Sequence, residues 1–510
     1  MRKQVFIYSL LTILVCHSYA QNDVDALRYS TPSVQGTARN IALGNTMGTI
    51  GADVSALSTN PAGIAKYSST EFSLSPAIAI NRSSSTYLDN TMKDGNVKFQ
   101  LTNLGIVIAK RYTDSDDKKK WDGIKFGFAL NRLANFNNEY SFSGYNNNNS
   151  LLNYYSDQLK DRNAVQTVAG AEENFVFGAS IAYQLGLLIS DHDSLGNIYT
   201  DGNGQNLIYS PADSTGFQQN FNIKRTGGIN EIAIGIASTL KDKIMFGASL
   251  GIPIANYTER ITLTETDTKN LIDGFNSFSN LNYVKTSGVG FNLKVGIIAM
   301  PVKNLRLSLA IQTPGILFMK DAYLTSMEVD YANLSEILTG ESPDGASKYK
   351  YVQPWKMTAG AGYIHKFGLV SVEYELSDAG NSKFRFGGSD ADTKIYENDV
   401  NGTIKGKYGL FHTIKAGVEF KFDPVRIRGG IQYRTSPFEK SAAPTQFNTS
   451  SLTYSAGLGY RGNHFFADIA YVQTNFKEMF VPYQTTKSDV SGATLASKKP
   501  AIVLTLGYKL

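Results

Sequence analysis

Acidic and basic residues recur at every second position towards the C-terminal end of the chain, a spacing that puts them on one face of a strand. Such charges can pair with one another or hold another segment. The same face of the neighbouring segments carries both signs, in the set Glu373, Glu375, Lys415, Glu419, Arg426, Arg428, Arg434 and Asp468. This pattern predicts a wall whose charges neutralise one another. The alternative is that part of the wall grips another segment, with Arg426 or Arg428 reaching Asp53.

The histidines and nucleophiles form no group that indicates catalysis. A catalytic nucleophile needs a base beside it and a third group that orients the base. The five histidines are scattered along the chain, at His17, His192, His365, His412 and His464. No two of them are placed to ligate one iron ion, so haem is not expected. We therefore predict no enzyme activity, no cofactor and no metal site.

The elements that carry these charges alternate with a period of two from Glu71 onwards. At the end of the chain, Ile502, Leu504, Leu506, Tyr508 and Leu510 fall on one face, and small or polar residues fall on the other. Such alternation is typical of strands that cross a bilayer, with lipid on one side and a lumen on the other. No run of about 18 apolar residues follows the first 20, so a membrane helix is not expected there. The sequence predicts an all-β protein, a transmembrane antiparallel β-barrel of about 14 strands.

The predicted strands are separated alternately by short turns and long loops. They lie near 71–81, 97–111, 121–136, 219–240, 243–260, 282–300, 304–318, 350–365, 368–378, 409–422, 424–436, 451–461, 464–476 and 499–510. The short turns, which include a charged turn at 114–120, are expected in the periplasm, and the long loops are expected outside the cell. Residues 71–510 would thus form the barrel.

The longest connection, 137–218, contains a segment that could be an extra strand. Residues 174–189 alternate in the manner of a strand, but one added strand would put the C-terminus on the wrong side of the membrane. We therefore assign 151–189 to a large, partly helical outer loop. If 174–189 paired with another loop segment, the count would rise to about sixteen.

Residues 1–20 have the features of a cleaved secretory signal peptide. Arg2 and Lys3 precede an apolar stretch, and Ser18-Tyr19-Ala20 forms a small-residue cleavage site. Loss of this segment would lower the formal net charge from +5 to +3, which is too close to neutral to indicate a nucleic-acid partner. We expect export to the outer membrane of a Gram-negative cell.

Residues 21–70 are rich in small residues and show short helical periods without strand alternation. Asp53 and Asn60-Pro61 have the sequence features of helix starts. This segment is expected to be either a periplasmic tail or a hatch that fills the barrel lumen.

Together these pieces resemble the outer-membrane long-chain fatty acid and aromatic hydrocarbon transporter family of the FadL/TodX type. The motif that carries the resemblance is Asn60-Pro61-Ala62, followed by Gly63. The resemblance implies that these residues belong to a hatch in the lumen. It also implies that a kink in the third strand, near Asn131 or Asn135, opens a lateral exit towards the bilayer.

The resemblance further implies that outer loops capture hydrophobic ligands first. In this chain the apolar residues suited to capture are Leu151, Leu152, Tyr154, Tyr155, Phe175, Phe177 and Tyr183, although they could equally pack the long loop onto itself. The expected function is passive uptake of hydrophobic small molecules, such as long-chain fatty acids, through a hatch-gated barrel surrounded by outer-membrane lipid. The alternative is an interaction protein of the same fold, whose partner is a secreted protein.

Overall fold

The computed structural model describes residues 23–30, 35–111, 121–213, 215–442, 449–486 and 488–510 of the 510-residue chain. The predicted signal peptide and the predicted charged turn at 114–120 lie outside the described residues.

Short helices come before the first strand and lie in two later connections. The α-helices are α1 Asp23–Ser30, α2 Ala38–Ala42, α3 Met47–Ile50, α4 Leu151–Lys160, α5 Val168–Glu173, α6 Ala179–Gln184 and α7 Ala391–Lys407. The 3-10 helices are Val54–Ser58, Pro61–Lys66, Pro211–Asp213 and Ala379–Asn381. None of the helices in these ranges is long and apolar enough to cross a membrane.

The strands account for most of the ordered backbone after Glu71. They are β1 Glu71–Tyr87, β2 Asn90–Arg111, β3 Trp121–Asn135, β4 Asn138–Asn146, β5 Ile189–Ser190, β6 Ile208–Tyr209, β7 Phe217–Leu240, β8 Ile244–Thr266, β9 Phe275–Ala299, β10 Leu305–Gln312, β11 Ile316–Tyr331, β12 Leu338–Glu341, β13 Gly345–Val352, β14 Lys356–His365, β15 Gly368–Asp378, β16 Lys383–Phe386, β17 Leu410–Phe422, β18 Val425–Arg434, β19 Ser451–Arg461, β20 Phe465–Phe480 and β21 Ala493–Lys509.

Antiparallel pairing closes these strands into a barrel. Each wall strand pairs with the next along the chain, and β21 pairs with β1, from Glu71 opposite Lys509 to Thr86 opposite Thr494. Four of the wall strands are interrupted and are each made of two pieces: β3 and β4, β10 and β11, β13 and β14, and β15 and β16. Counted in this way, the wall has fourteen strands. The predicted fold class is confirmed.

The outer surface of the barrel is apolar, as the alternation predicts. On β21, Ile502, Leu504, Leu506 and Tyr508 are exposed, while Val503, on the inward face, is buried. The same division holds on β8 and β19, where the apolar parity points outward. An outward apolar belt is what a bilayer requires of a barrel wall.

Two of the strand interruptions coincide with proline. Pro314 separates β10 from β11, and Pro354 separates β13 from β14. A proline has no N–H for the ladder, so the wall pairing breaks there. The predicted strands 304–318 and 350–365 each run across such a break.

The side of the barrel that carries the long connections is here called the long-loop end. On this side several strands are longer than predicted. Residues 138–146, assigned to the loop 137–218, form β4, and α7 lies in the connection 379–408. The start of the loop 137–218 was therefore wrong. The β4 strand alternates too, but its apolar side chains, Tyr140 and Phe142, are buried and the side chains between them are polar, so it lacks the lipid-facing pattern. Residues 174–189 contain α6 and, apart from Ile189 at the start of β5, no strand.

Candidate functional site

Residues 35–66 contact inward-facing side chains on several sides of the barrel. The Thr46 hydroxyl lies 2.5 Å from that of Ser371 on β15, and the Thr49 hydroxyl lies 2.7 Å from that of Ser308 on β10. On another side, the Ala38 N–H donates to the Thr505 hydroxyl of β21 at 2.7 Å. Most side chains of the segment are buried. These contacts anchor the N-terminal segment to the inner face of the wall.

Wall glycines make room for this segment. A Cβ added at Gly430 would lie 2.1 Å from the Gly44 nitrogen, and one added at Gly360 would lie 2.0 Å from the Thr49 hydroxyl oxygen. Real Cβ atoms do not approach other atoms so closely, so the wall and the segment are shaped to each other. The sequence analysis missed these glycines. Glycine on the inward parity of several strands is the signal that could have revealed them.

The Asn60-Pro61-Ala62-Gly63 motif lies where the segment meets β8 and β9. The Asn60 side chain accepts from the Ala62 N–H at 3.2 Å and donates to the Ile297 carbonyl of β9 at 3.4 Å. Pro61 starts the 3-10 helix, and the Gly63 carbonyl accepts from the Ala52 N–H at 2.9 Å. The motif therefore caps a local turn and ties that turn to the wall.

The charged wall residues pair mainly with one another. The Arg428 guanidinium donates to Glu419 and Asp468, both at 2.6 Å, and Lys415 donates to Glu375 at 2.7 Å. These groups are nearly all buried. The arrangement corresponds to the self-neutralising wall of the sequence analysis.

One wall carboxylate does hold the N-terminal segment. Glu373 accepts a hydrogen bond from the Thr49 backbone N–H at 2.7 Å. Arg39 of α2 also approaches Glu419, with 3.9 Å between Nε and Oε2. Contacts between the segment and the wall charges therefore exist at Glu373 and Glu419.

The expected pairing of Asp53 with Arg426 or Arg428 is wrong. The Asp53 carboxylate accepts from the Thr37 hydroxyl at 2.7 Å and from the Ser55 N–H at 2.9 Å, so it caps the 3-10 helix. Arg426 pairs with Asp423, at 2.5 Å, in the β17–β18 turn. Depth and register decide which charges meet, and neither can be read from strand alternation.

Helices α4–α6 cover the long-loop end of the barrel. Leu151, Leu152 and Tyr155 are buried in a cluster with Phe142 and Phe221 of the wall. Burial raises the pKa of the Tyr155 phenol above its usual value. Tyr154, Phe175 and Tyr183 pack on the edge of this cluster, and the Phe177 ring lies 4.9 Å from that of Tyr323. The candidate capture residues thus pack the mouth closed.

The first helix, α1, occupies an aromatic chamber of the lumen. Ala26 and Tyr29 are buried against a cluster that includes Leu317, Tyr351 and Phe384. Tyr351 donates to the Ala26 carbonyl at 2.7 Å, and the Arg28 guanidinium lies 3.9 Å from the Tyr257 ring centre. The lining of this chamber is apolar and aromatic, and α1 fills it.

The wall is incomplete between β2 and β3. Their ladder runs from Arg111 opposite Gly123 to Asn103 opposite Asn131 and ends there. Beyond this point residues 90–102 of β2 pair only with β1, and β4 pairs only with β7 among the described residues. Asn131 forms the last rung, and Asn135 lies beyond it. We call this interruption the seam. Residues 100–103 of β2 line one side of it, and residues 131–138 of β3 and β4 line the other.

A separate cavity of about 150 Å³ lies between the N-terminal segment and the wall at the opposite, short-turn end. Charged and polar residues together dominate its lining, and the charged ones include Arg39, Asp53, Glu71, Arg461 and Lys509. A cavity lined in this way suits water and ions rather than a hydrophobic ligand.

Comparison with known proteins shows similarity in fold only. No family model matches the chain, and no curated protein sequence matches it. Among solved structures, a Pseudomonas aeruginosa FadL homologue has a TM-score of 0.55 and 12% identity, with 93% of this chain and 98% of the other covered. The P. putida toluene transporter TodX has a TM-score of 0.50, also with 12% identity and coverage of 93% and 98%.

A deltaS2 mutant of the TodX monoaromatic hydrocarbon channel is similar as well, with a TM-score of 0.51, 12% identity and the same coverage. The chain therefore has the fold of these barrels over nearly its whole length. The resemblance inferred from the sequence is confirmed at the level of the fold.

Proposed function

We propose that the chain is an outer-membrane channel for passive uptake of hydrophobic molecules such as long-chain fatty acids. The N-terminal segment acts as the hatch, the mouth helices and the α1 chamber receive the solute, and the seam releases it sideways into the bilayer. The observation that carries the proposal is the combination of a lumen occupied by residues 35–66 with a wall ladder that ends at Asn103 and Asn131. A blocked lumen and an interrupted wall suit sideways release better than passage along the barrel axis. No step requires a cofactor or ATP.

Uptake of radiolabelled oleate by whole cells tests this function. Cells that lack their own channel for hydrophobic solutes are compared with and without the full-length protein. We expect the protein to raise the initial rate of oleate uptake while the permeability to a small hydrophilic sugar stays unchanged. Equal oleate rates in the two strains would contradict the proposal.

An interaction protein of the same fold is the second candidate. The observation in its favour is that apolar side chains on the long connections remain exposed, among them Leu195, Tyr199 and Ile337. Exposed apolar side chains at loop tips suit a protein contact. A secreted protein that co-purifies in stoichiometric amount, and is lost when Leu195 and Tyr199 are changed to Ser, would favour this candidate.

A further inference from the structure

The seam is bridged by side-chain amides where the backbone ladder is missing. Gln100 of β2 donates to the Gln35 side-chain oxygen at 3.3 Å, and Asn135 of β3 donates to the Gln100 oxygen at 3.1 Å. The Gln35 backbone N–H donates to the Arg132 carbonyl of β3 at 2.9 Å. Gln35 therefore holds both sides of the seam, β2 through its side chain and β3 through its backbone.

Gln35 belongs to the N-terminal segment and not to the wall. It is followed by Gly36, whose φ of +67° turns the chain. The next residue, Thr37, is tied to the body of the segment by its N–H, which donates to the Ser55 hydroxyl at 2.9 Å, and by its hydroxyl, which donates to Asp53. A displacement of the segment would therefore move Gln35 with it.

The outer side of the seam is apolar and open. Next to Gln100 on β2, Val97 and Phe99 are 63% and 77% exposed, and both belong to the outward parity. A hydrophobic molecule that passed between β2 and β3 would leave over these side chains. Beside Gln100 the route is closed by amide hydrogen bonds, each contributing about 1 kcal/mol, whereas farther along β2 the Asp94 carboxylate accepts from the Ser141 N–H of β4 at 2.6 Å.

We infer that Gln35 is the latch of the seam, a positioning residue that closes the wall while the segment is seated and frees it when the segment shifts. This inference rests on the proposed function for its role in transport, but the closing contact itself can be tested without transport. It assigns one residue through which displacement of the N-terminal segment would be coupled to opening of the wall.

Hydrogen exchange of the full-length protein in detergent tests the closing contact. Gln35→Ala removes the side-chain bridge, and Gln35→Pro removes the N–H donated to Arg132 as well. We expect exchange in the peptide covering 128–137 to accelerate about fivefold in the first variant and more in the second, in line with the loss of one and then two hydrogen bonds. Peptides from β19 and β20 serve as the internal control. Unchanged exchange at 128–137 in both variants would overturn the inference, whatever the result for oleate.

A reversible cross-link tests the role in release. Cys16 is the only cysteine of the sequence and falls in the predicted signal peptide, so Gln35→Cys with Gln100→Cys supplies two thiols that a short bismaleimide with a reducible linker can join across the space left by the two glutamine side chains. The matched control is Thr453→Cys with Thr474→Cys, a pair whose hydroxyls lie 2.8 Å apart on a continuous ladder. Heat-modifiable migration on gels verifies folding.

We expect cross-linking of the Gln35–Gln100 pair to lower oleate uptake at least tenfold, with recovery when the linker is reduced and no effect in the control. Uptake that persists with the latch cross-link fully formed would overturn the role of the latch in release. If the unmodified protein takes up no oleate, the proposed function fails, and hydrogen exchange alone decides whether Gln35 closes the seam.

Discussion

At the scale of single residues, inward-facing glycines fit the N-terminal segment to the wall, and buried charge pairs join wall strands to one another. Glycine gives the backbone of the segment direct access to the backbone of the wall, and Arg428 pairs with two buried carboxylates, Glu419 and Asp468. These two features have different energetic origins, close packing and charge compensation. They can be tested separately.

Gly430→Val is expected to displace the N-terminal segment. Its new side chain would occupy the position of the Gly44 backbone, and overpacking of this kind costs about 1–3 kcal/mol. Limited proteolysis should then cleave within residues 35–66 at a protease concentration that leaves the original protein intact. Gly429→Val is the matched control, because a Cβ at Gly429 meets only a Val418 methyl group, at 3.7 Å. Equal cleavage of the two variants would contradict the fit.

Arg428→Met is expected to destabilise the barrel by about 3–5 kcal/mol, because Glu419 and Asp468 would keep buried charges without their main partner. Arg426→Met, which breaks only the exposed pair with Asp423, should destabilise the barrel much less, because water screens that pair. Urea unfolding of both variants in detergent measures the difference. If both variants were destabilised by the same amount, burial of the ion pairs around Arg428 would not increase their contribution to stability.

At the scale of elements, α4–α6 form a lid whose apolar face completes the core at the long-loop end. The lid is joined to β8 through Glu265, which accepts from the Ser150 hydroxyl and from the Leu151 N–H. It shares no ladder with the fourteen wall strands among the described residues. Under the proposed function, capture of a ligand would require the cluster around Leu152 and Phe142 to part.

Replacement of 151–189 by a short Gly-Ser linker is expected to lower the oleate uptake rate about tenfold, because the apolar entry surface is lost while the wall pairing is retained. Initial uptake rates are compared at equal levels of folded protein. Replacement of the exposed turn 201–204 by two glycines is the control for loop shortening. Unchanged uptake after loss of 151–189 would leave these residues with a packing role only.

At the scale of the whole molecule, the barrel is large enough for an open pore, but residues 35–66 fasten to its inner face. Barrels of somewhat greater strand number leave an aqueous channel when their lumen is empty. Contacts to β10, β15 and β21 hold the segment across the lumen. The closed state should therefore exclude ions.

Planar-bilayer recordings should show little ion conductance for the full-length protein and stable, much larger openings after deletion of residues 35–66. The physical reason is that the segment occupies the lumen, and its removal would leave inward-facing polar side chains hydrated. Gly429→Val serves as a variant with an unaltered lumen. Large openings in the full-length protein would support a general porin and contradict a hatch.

Much of the fold could be predicted because the alternation of apolar and polar residues in each wall strand indicates which of its faces contacts lipid. Alternation on β8, β19 and β21 gave the correct outward faces, and the short turns gave approximate strand ends. The prediction missed β4 because its apolar side chains are buried and its other face is polar, the reverse of the lipid-facing pattern. The wall glycines were missed because glycine has no side chain, so its residue type does not indicate whether it faces the lumen or the lipid.

By itself, the sequence determined the class of barrel, its strand number and its lipid-facing side, since these follow from a local rule repeated along every strand. The cap at Asp53, a contact with Ser55 two residues on, was also predicted from the sequence. Only the tertiary structure decided that Glu373 rather than Arg426 holds the N-terminal segment and that Gln35 lies between β2 and β3. These contacts join residues far apart in the chain, and their partners depend on shear, depth and chain direction. No local pattern encodes those three quantities.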